Sequence, residues 1–329
     1  MHNYIWPENN FKLESLFFPV DLFPLYRKKT RSQIDIFGNT EEFEQCGGYY
    51  ALVDIDRDKV LTTVAKDYEL VTNKEAIDLL EEIKENIFGE SKEQEFSYRR
   101  IYLSEKRTEC YADLYRELDE SQPLFNDGWC AFIRMQNSYN RKKNLGYKIG
   151  FHNVYVGGSL MDTKNIIEAS TSHSTTGLYS VKDIIRKKVR SNRYLISSIE
   201  NELKRKIEKL KLIVIAGRDV LPFFCMIYNV KKTSDVYQKE NLTSAAKFIN
   251  KCVDEIIPKY GKNAYSLLLI LSKYASMHRS ALYLTPQYKE QALGKWADKF
   301  IDETDNPNFS INVYLKDYLD TASWLDSLI

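Results

Sequence analysis

The sequence predicts an α+β fold, with a β-hairpin-rich sheet and packed helices in the N-terminal half and an all-helical C-terminal half. Two observations carry this. Up to about residue 156, apolar residues alternate with polar ones in short runs broken by charged or polar turns, the period of half-buried strands. From about Lys182 onward they recur at three- and four-residue steps, the period of helices. Length sets the scale, since 329 residues, 43% of them hydrophobic and 28% charged, can bury a full core.

Taken in order, residues 1–45 are apolar patches broken by Pro7, Pro19 and Pro24, and read as an arm packed on the body. Residues 46–215 read as an α+β core domain and residues 216–329 as a helical C-terminal region. Strands are predicted over Tyr49–Asp54 and Val60–Val64, joined by Asp56-Arg57-Asp58, and Tyr68–Thr72 continues extended. Asn73 is positioned to cap a helix whose apolar stripe is Ala76, Ile77, Leu80, Ile83 and Ile87. Further strands are predicted over Phe96–Leu103 and Cys110–Tyr115. A hairpin follows over residues 129–150, then a short strand over Asn153–Val156. Beyond it, Ile184, Ile185, Val189, Ile196, Ile199, Leu203, Ile207 and Leu210 stripe a long helix or helix pair. Helices over Asn241–Ile257, Asn263–His278, Gln287–Asp302 and Ile311–Leu328 complete the chain, with Pro258, Gly261 and Asp305-Asn306-Pro307 as breaks.

The five cysteines (Cys46, Cys110, Cys130, Cys225, Cys252) are odd in number and show no metal-ligand or redox spacing, which predicts reduced thiols and a cytoplasmic location. A basic leader with an apolar run is absent from the N-terminal residues, and no segment approaches the ~18 apolar residues of a membrane span. Asp54-Ile-Asp-Arg-Asp58 looks like the start of a calcium loop, but Lys59 stands where that loop needs Gly and Ala65 where it needs Glu. It reads as a hairpin turn. Histidines and glycines form no catalytic or phosphate-cradling motif, so neither an enzymatic activity nor a cofactor is predicted. His278 reads as a helix-end or packing residue.

Charge is the most informative local signal. The formal net charge is only +1, yet the hairpin carries Arg134, Arg141, Lys142, Lys143 and Lys148 with no acid between them, and Tyr139 and Tyr147 lie among them. Cations without competing carboxylates suit phosphates, and aromatic faces suit stacked bases. Lys182–Lys211 holds eleven bases and four acids, and Arg186, Arg190 and Arg193 recur on one helical face beside Lys187. Conversely, Glu75–Glu95 holds eight acids and two bases. Each run is equally readable as a solvated face. The acidic C-terminus, Asp317 through Asp326, reads as a last helix folded onto the body, or as a docking tail.

Several segments carry a family likeness. Tyr50-Ala-Leu-Val-Asp54 and the run from Val60 to Ala76, with Tyr68, Val71, Asn73, Glu75 and Ala76, resemble a hairpin-then-helix of the phage/plasmid-like protein family (domain of unknown function nine-three-two). Phe132-Ile-Arg-Met-Gln-Asn-Ser-Tyr139 is similar to that family's strand ending in Asn-Ser. Gly261–His278, with Tyr265, Leu271, Tyr274 and His278, is similar to its helical segment. Val154-Tyr-Val-Gly-Gly158 departs from the family's Cys-x-Asn step. The resemblance implies a mobile-element origin. The order of elements, with Cys130-Ala-Phe-Ile-Arg134, also resembles the core of single-strand annealing proteins of the Rad and phage recombinase type, which implies a sheet and basic hairpin lining a single-strand groove.

The resulting expectation is a single-stranded DNA-binding protein, capable of promoting annealing without ATP. Its contacts would be Arg134, Arg141, Lys142, Lys143, Lys148, Arg186, Lys187, Arg190 and Arg193, with Tyr139 and Tyr147 stacking. A homo-oligomer and a replication or host protein partner are compatible with this reading, and no membrane is expected. The alternative is a protein-binding accessory or counter-defence factor whose acidic helix and acidic C-terminus are the contact surfaces.

Overall fold

The computed structural model describes residues 4–8, 11–28, 43–88, 95–140, 145–161, 181–190, 195–276 and 285–329. The strands are β1 (Val20–Lys28), β2 (Phe43–Asp54), β3 (Lys59–Ala65), β4 (Phe96–Leu103), β5 (Glu109–Arg116), β6 (Trp129–Ser138), β7 (Gly146–Asn153) and β8 (Gly158–Met161). They form two antiparallel meanders, β1-β2-β3 and β4-β5-β6-β7-β8. The helices are α1 (Asn73–Phe88), α2 (Val181–Arg190), α3 (Leu195–Leu212), α4 (Val220–Ile227), α5 (Val236–Tyr260), α6 (Ala264–Ser276), α7 (Pro286–Thr304), α8 (Ile311–Tyr314) and α9 (Leu319–Asp326). Strands thus fill the N-terminal half and helices the C-terminal half, an α+β fold. Among the described residues no helix is long and apolar enough to cross a membrane.

The first sheet differs from the sequence reading at its edge. The predicted arm supplies β1, which pairs with β2 so that Leu22 lies opposite Leu52 and Phe23 opposite Ala51. Pro24 is tolerated there because an edge strand has one unpaired side. Alternation then sends Leu22 and the fully buried Leu52 to the core, and Phe23 outward.

Helix α1 buries the predicted stripe of Ala76, Ile77, Leu80, Ile83 and Ile87. Its cap is Thr72 rather than Asn73. The Thr72 hydroxyl accepts from the Glu75 amide (3.2 Å), and the Glu75 carboxylate accepts from the Thr72 amide (2.9 Å), a reciprocal capping box. Asn73 is turned inward, where its Nδ2 donates to the Leu16 carbonyl and its Oδ1 accepts from Asn137 Nδ2 (2.9 Å).

The short strand predicted over Asn153–Val156 is a turn, and pairing resumes at β8. Asn153 Oδ1 accepts from the amides of Tyr155 (3.0 Å) and Val156 (3.2 Å), and Gly157 takes φ +72, so the side chain competes successfully with the ladder. Gly158 then allows β8 to approach α6: a Cβ there would sit 2.1 Å from Ser272 Oγ. Across this seam Trp129 Nε1 donates to the Tyr265 hydroxyl (3.1 Å).

In the helical half, the stripe from Ile184 to Leu210 is divided between α2 and α3. Helix α4 escaped the periodicity because Val220–Ile227 is almost wholly apolar and almost wholly buried. Pro258 lies inside α5, which runs on to Tyr260 before Gly261 (φ +91) ends it. The last predicted helix is broken into α8 and α9, with Ala322 and Leu325 buried, so the acidic C-terminus is folded onto the body. His278 lies outside the described residues. One continuous apolar cluster runs from Leu16 through α1 and the second sheet into α3–α7, so the described residues share a core across the expected boundary at 215.

Candidate nucleic-acid interface

The β6–β7 hairpin forms as predicted, in the register Arg134↔Lys148 and Met135↔Tyr147. Alternation puts Ile133, Met135, Tyr147 and Ile149 on the face that joins the main core, with Phe132, Arg134 and Lys148 on the other.

That second face is not open at Arg134. The guanidinium donates to both oxygens of Asp113 on β5 (2.6 Å each) and to Glu290 on α7 (2.7 Å), and the side chain is 0% exposed. Burial opposes its charge, but Asp113 and Glu290 outweigh that and hold its pKa well above the ordinary guanidinium value. Arg100 on β4 completes a quartet, donating to Glu290 (2.6 Å) and Ser159 (3.1 Å). A side chain committed to three internal charge-assisted bonds has no reach to a phosphate. The placement of Arg134 corrects the sequence reading, which counted its charge without its partners.

The two tyrosines are corrected in the same way. Tyr139 is 1% exposed, its ring edge-on to Phe18 and its hydroxyl accepting from the Asn73 amide (2.9 Å). Tyr147 is fully buried and donates to the Ala76 carbonyl (2.9 Å). Neither ring can stack on a base. Both fasten the hairpin's outer end to the first turn of α1. Lys148 is half-buried and already engaged within the chain. Arg141, Lys142 and Lys143, between these anchors, lie outside the described residues.

The second basic stretch begins at the same turn of α1. Lys182 pairs with Glu75 (2.6 Å), and Arg186 makes a two-pronged contact with Glu82 (2.7 and 2.8 Å) and approaches Asp183. The Arg186 bonds hold the Glu82 carboxyl below its ordinary range. Lys187 and Arg190 are exposed on α2, while Arg193 lies outside the described residues. Further along, Lys206 pairs with Asp298 (2.6 Å), Lys209 with Asp305 (2.9 Å), and Arg116 with Glu200. Two bases of the run therefore answer acids of α1, and two others answer Asp298 and Asp305.

The fold brings together the end of the hairpin, the first turn of α1 and the start of α2. It leaves Arg134 in the interior beside Asp113, Arg100 and Glu290. This quartet was missed because Glu290 is 156 residues from Arg134 in sequence. Part of it was visible: Asp113 and Arg134 each stand mid-strand among apolar neighbours, where an unpaired charge is costly.

Comparison with models of protein families finds no match, and neither the curated proteins nor the solved structures yield one.

Proposed function

We propose that the chain binds single-stranded DNA by phosphate contacts along the edge where α2 begins, and not by base stacking in the hairpin. The observation that carries this reading is convergence: the anchors of the basic hairpin, Tyr139 and Tyr147, and the first base of α2, Lys182, all meet residues 73–76 of α1. The described end of the hairpin and the start of α2 thereby share one edge, and Lys187 and Arg190 present exposed cations on α2. With the two rings buried, the expected mode is tolerant of base sequence and strongly salt-dependent. Strand annealing, implied by the resemblance to recombinases, would follow from holding a strand by its backbone with its bases free.

The test is fluorescence anisotropy of a labelled single-stranded oligonucleotide at several salt concentrations. Binding that weakens with salt and is lost on changing Arg141, Lys142 and Lys143 together to Glu, in a folded protein, supports the reading. Undiminished affinity in that folded variant rules the hairpin out, and absence of binding even at low salt removes the reading.

A second reading, a protein-binding accessory factor, is favoured by a different surface. On the outward face of the first sheet Phe23 (45% exposed), Tyr49 (54%) and Val60 (63%) are apolar and open. Such a patch suits a protein partner better than a phosphate backbone. The acidic helix and C-terminus suited to that role are partly occupied, Glu75 and Glu82 by α2 and Asp320 by Lys232. Capture of a partner that survives nuclease and is lost in Tyr49→Glu favours this reading over DNA binding.

A further inference from the structure

A strap, residues 4–8, crosses the second sheet and walls a cavity of about 270 Å³ whose other sides include Arg100, Tyr111 and His152. It is held at two points: the Ile5 amide donates to the Val154 carbonyl (2.7 Å), and the Ile5 carbonyl lies 2.9 Å from His152 Nε2. Trp6 follows, stacked on the His152 ring, edge-on to Tyr115 and with the Arg99 guanidinium 4.4 Å above it. Ile5 is 49% exposed and His152 only 1%, so the strap stands between that ring and solvent.

Hydrogen bonding fixes the state of the ring. A carbonyl only accepts, so Nε2 carries the hydrogen and donates to Ile5. Nδ1 of the neutral ring is then an acceptor, and it meets the Ser159 hydroxyl at 2.8 Å. The Ser159 oxygen accepts in turn from Arg100 Nη1 (3.1 Å), which also donates to Glu290. The donors therefore run one way, from Arg100 through Ser159 and His152 to the strap. A second proton on the ring breaks this order at Nδ1. The imidazolium and Arg100 would both point a hydrogen at Ser159 Oγ, and the serine hydrogen would lose its acceptor.

The charges around the ring do not compensate. Burial opposes the imidazolium most, and Arg100 and Arg99 on β4 oppose it further, while the Ile5 carbonyl and Glu290 on α7 favour it. Glu290 is already shared by Arg100 and Arg134, and Asp113 on β5 is bonded to Arg134. Tyr115 and Cys130, against the same residue, are kept neutral by burial, and Glu8 on the strap is exposed. The net result holds the imidazole down to about 4 from 6.5. A protonated ring needs water, and lifting the strap supplies it. We propose that residues 4–8 form a proton-released strap, in which proton uptake by His152 detaches Ile5 and Trp6 and opens the cavity they wall. This device is independent of the DNA edge.

The sign follows from the two states. An exposed imidazole titrates near 6.5 and the covered one near 4, so the closed strap is most favoured above about pH 6.5 and loses ground as pH falls. Between pH 7 and pH 5 the ratio of open to closed strap should rise about twentyfold. Native-state hydrogen exchange of the full chain reads this ratio at the Ile5 amide, which is bonded to Val154 while the strap is closed. Ile5 should show a protection factor far below that of the β6 amides and insensitive to low urea, falling about twentyfold from pH 7 to pH 5. His152→Gln, which can still donate to Ile5 but does not titrate, should hold it constant over that range. An unchanged Ile5 factor in the parent, exchange of Ile5 only together with the β6 amides, or an equal fall in folded His152→Gln would each overturn the proposal. Should His152→Gln fail to fold, the comparison of Ile5 with β6 on the unaltered chain decides alone.

Discussion

Replacing Arg134 separates a surface role from a buried one. In Arg134→Met the Asp113 carboxylate loses both short bonds and keeps Arg100 Nε at 3.8 Å, while Glu290 keeps its bond to Arg100. Three charge-assisted bonds at about 1.5–3 kcal/mol each set the gross loss at roughly 4–9 kcal/mol. The return of a guanidinium's desolvation cost offsets part of this, which leaves about 3–5 kcal/mol, the usual cost of orphaning a buried ion pair. At roughly 1.5 °C per kcal/mol for a chain of 329 residues the melting temperature should fall by about 4–8 °C. The double variant Arg134→Met/Asp113→Leu removes both charges, retains the Arg100–Glu290 pair, and should recover most of the loss. Thermal melts followed by circular dichroism read this directly, with anisotropy measured on whatever remains folded. If Arg134→Met melts like the parent but loses DNA affinity, the residue is a contact and the buried-quartet argument is refuted.

Three other outcomes follow from the same structure. Burial pushes the His152 imidazole down to about 4 from 6.5. The unfolded chain therefore takes up the proton first. The stabilisation is complete above about pH 6.5 and is lost toward pH 4, by up to about 3 kcal/mol; urea unfolding across pH 4–7 should show this slope and His152→Gln should flatten it. Gly158→Ala should destabilise by about 1–3 kcal/mol, since its Cβ would meet Ser272 Oγ at 2.1 Å and the backbone nitrogen of Lys273 at 2.6 Å; an unchanged urea midpoint would show that β8 and α6 are not so closely packed. Lys187→Glu with Arg190→Glu should reduce the log–log salt slope of single-strand binding by about 1.4, at about 0.7 for each phosphate contact.

How much of this was legible depended on the range of the interaction. The strands β2 to β7 and helices α1, α5, α6 and α7 followed from periodicity, because a half-buried element writes its burial into consecutive residues. Errors fell where side chains outbid the local pattern. Asn153 bends the chain where a strand was expected, and Thr72 takes the cap assigned to Asn73 because Asn73 is engaged by Leu16 and Asn137. At the site, charge could be counted from sequence but not assigned to a surface. Arg134 and Lys187 read alike as basic residues, yet one is buried among carboxylates and the other is exposed.

The same distinction governs what the chain's charged runs can attract. Its acidic and basic runs sum to −6 over Glu75–Glu95 and +7 over Lys182–Lys211. Where such runs meet, the field they project is that of the remainder, since pairs at 2.6–2.8 Å cancel beyond a Debye length of about 8 Å. An estimate from the basic run alone would therefore overstate the attraction for DNA. Along α2, Lys187 and Arg190 are the assigned residues that remain exposed and described, and two contacts give a slope of only about −1.4. Adding Arg141, Lys142 and Lys143 from the hairpin brings five contacts and about −3.5. The measured slope thus counts contacts. A value near −3.5 makes the hairpin the principal binding element, a value near −1.4 assigns the interaction to α2, and a flat titration shifts the weight to the apolar face of Phe23, Tyr49 and Val60.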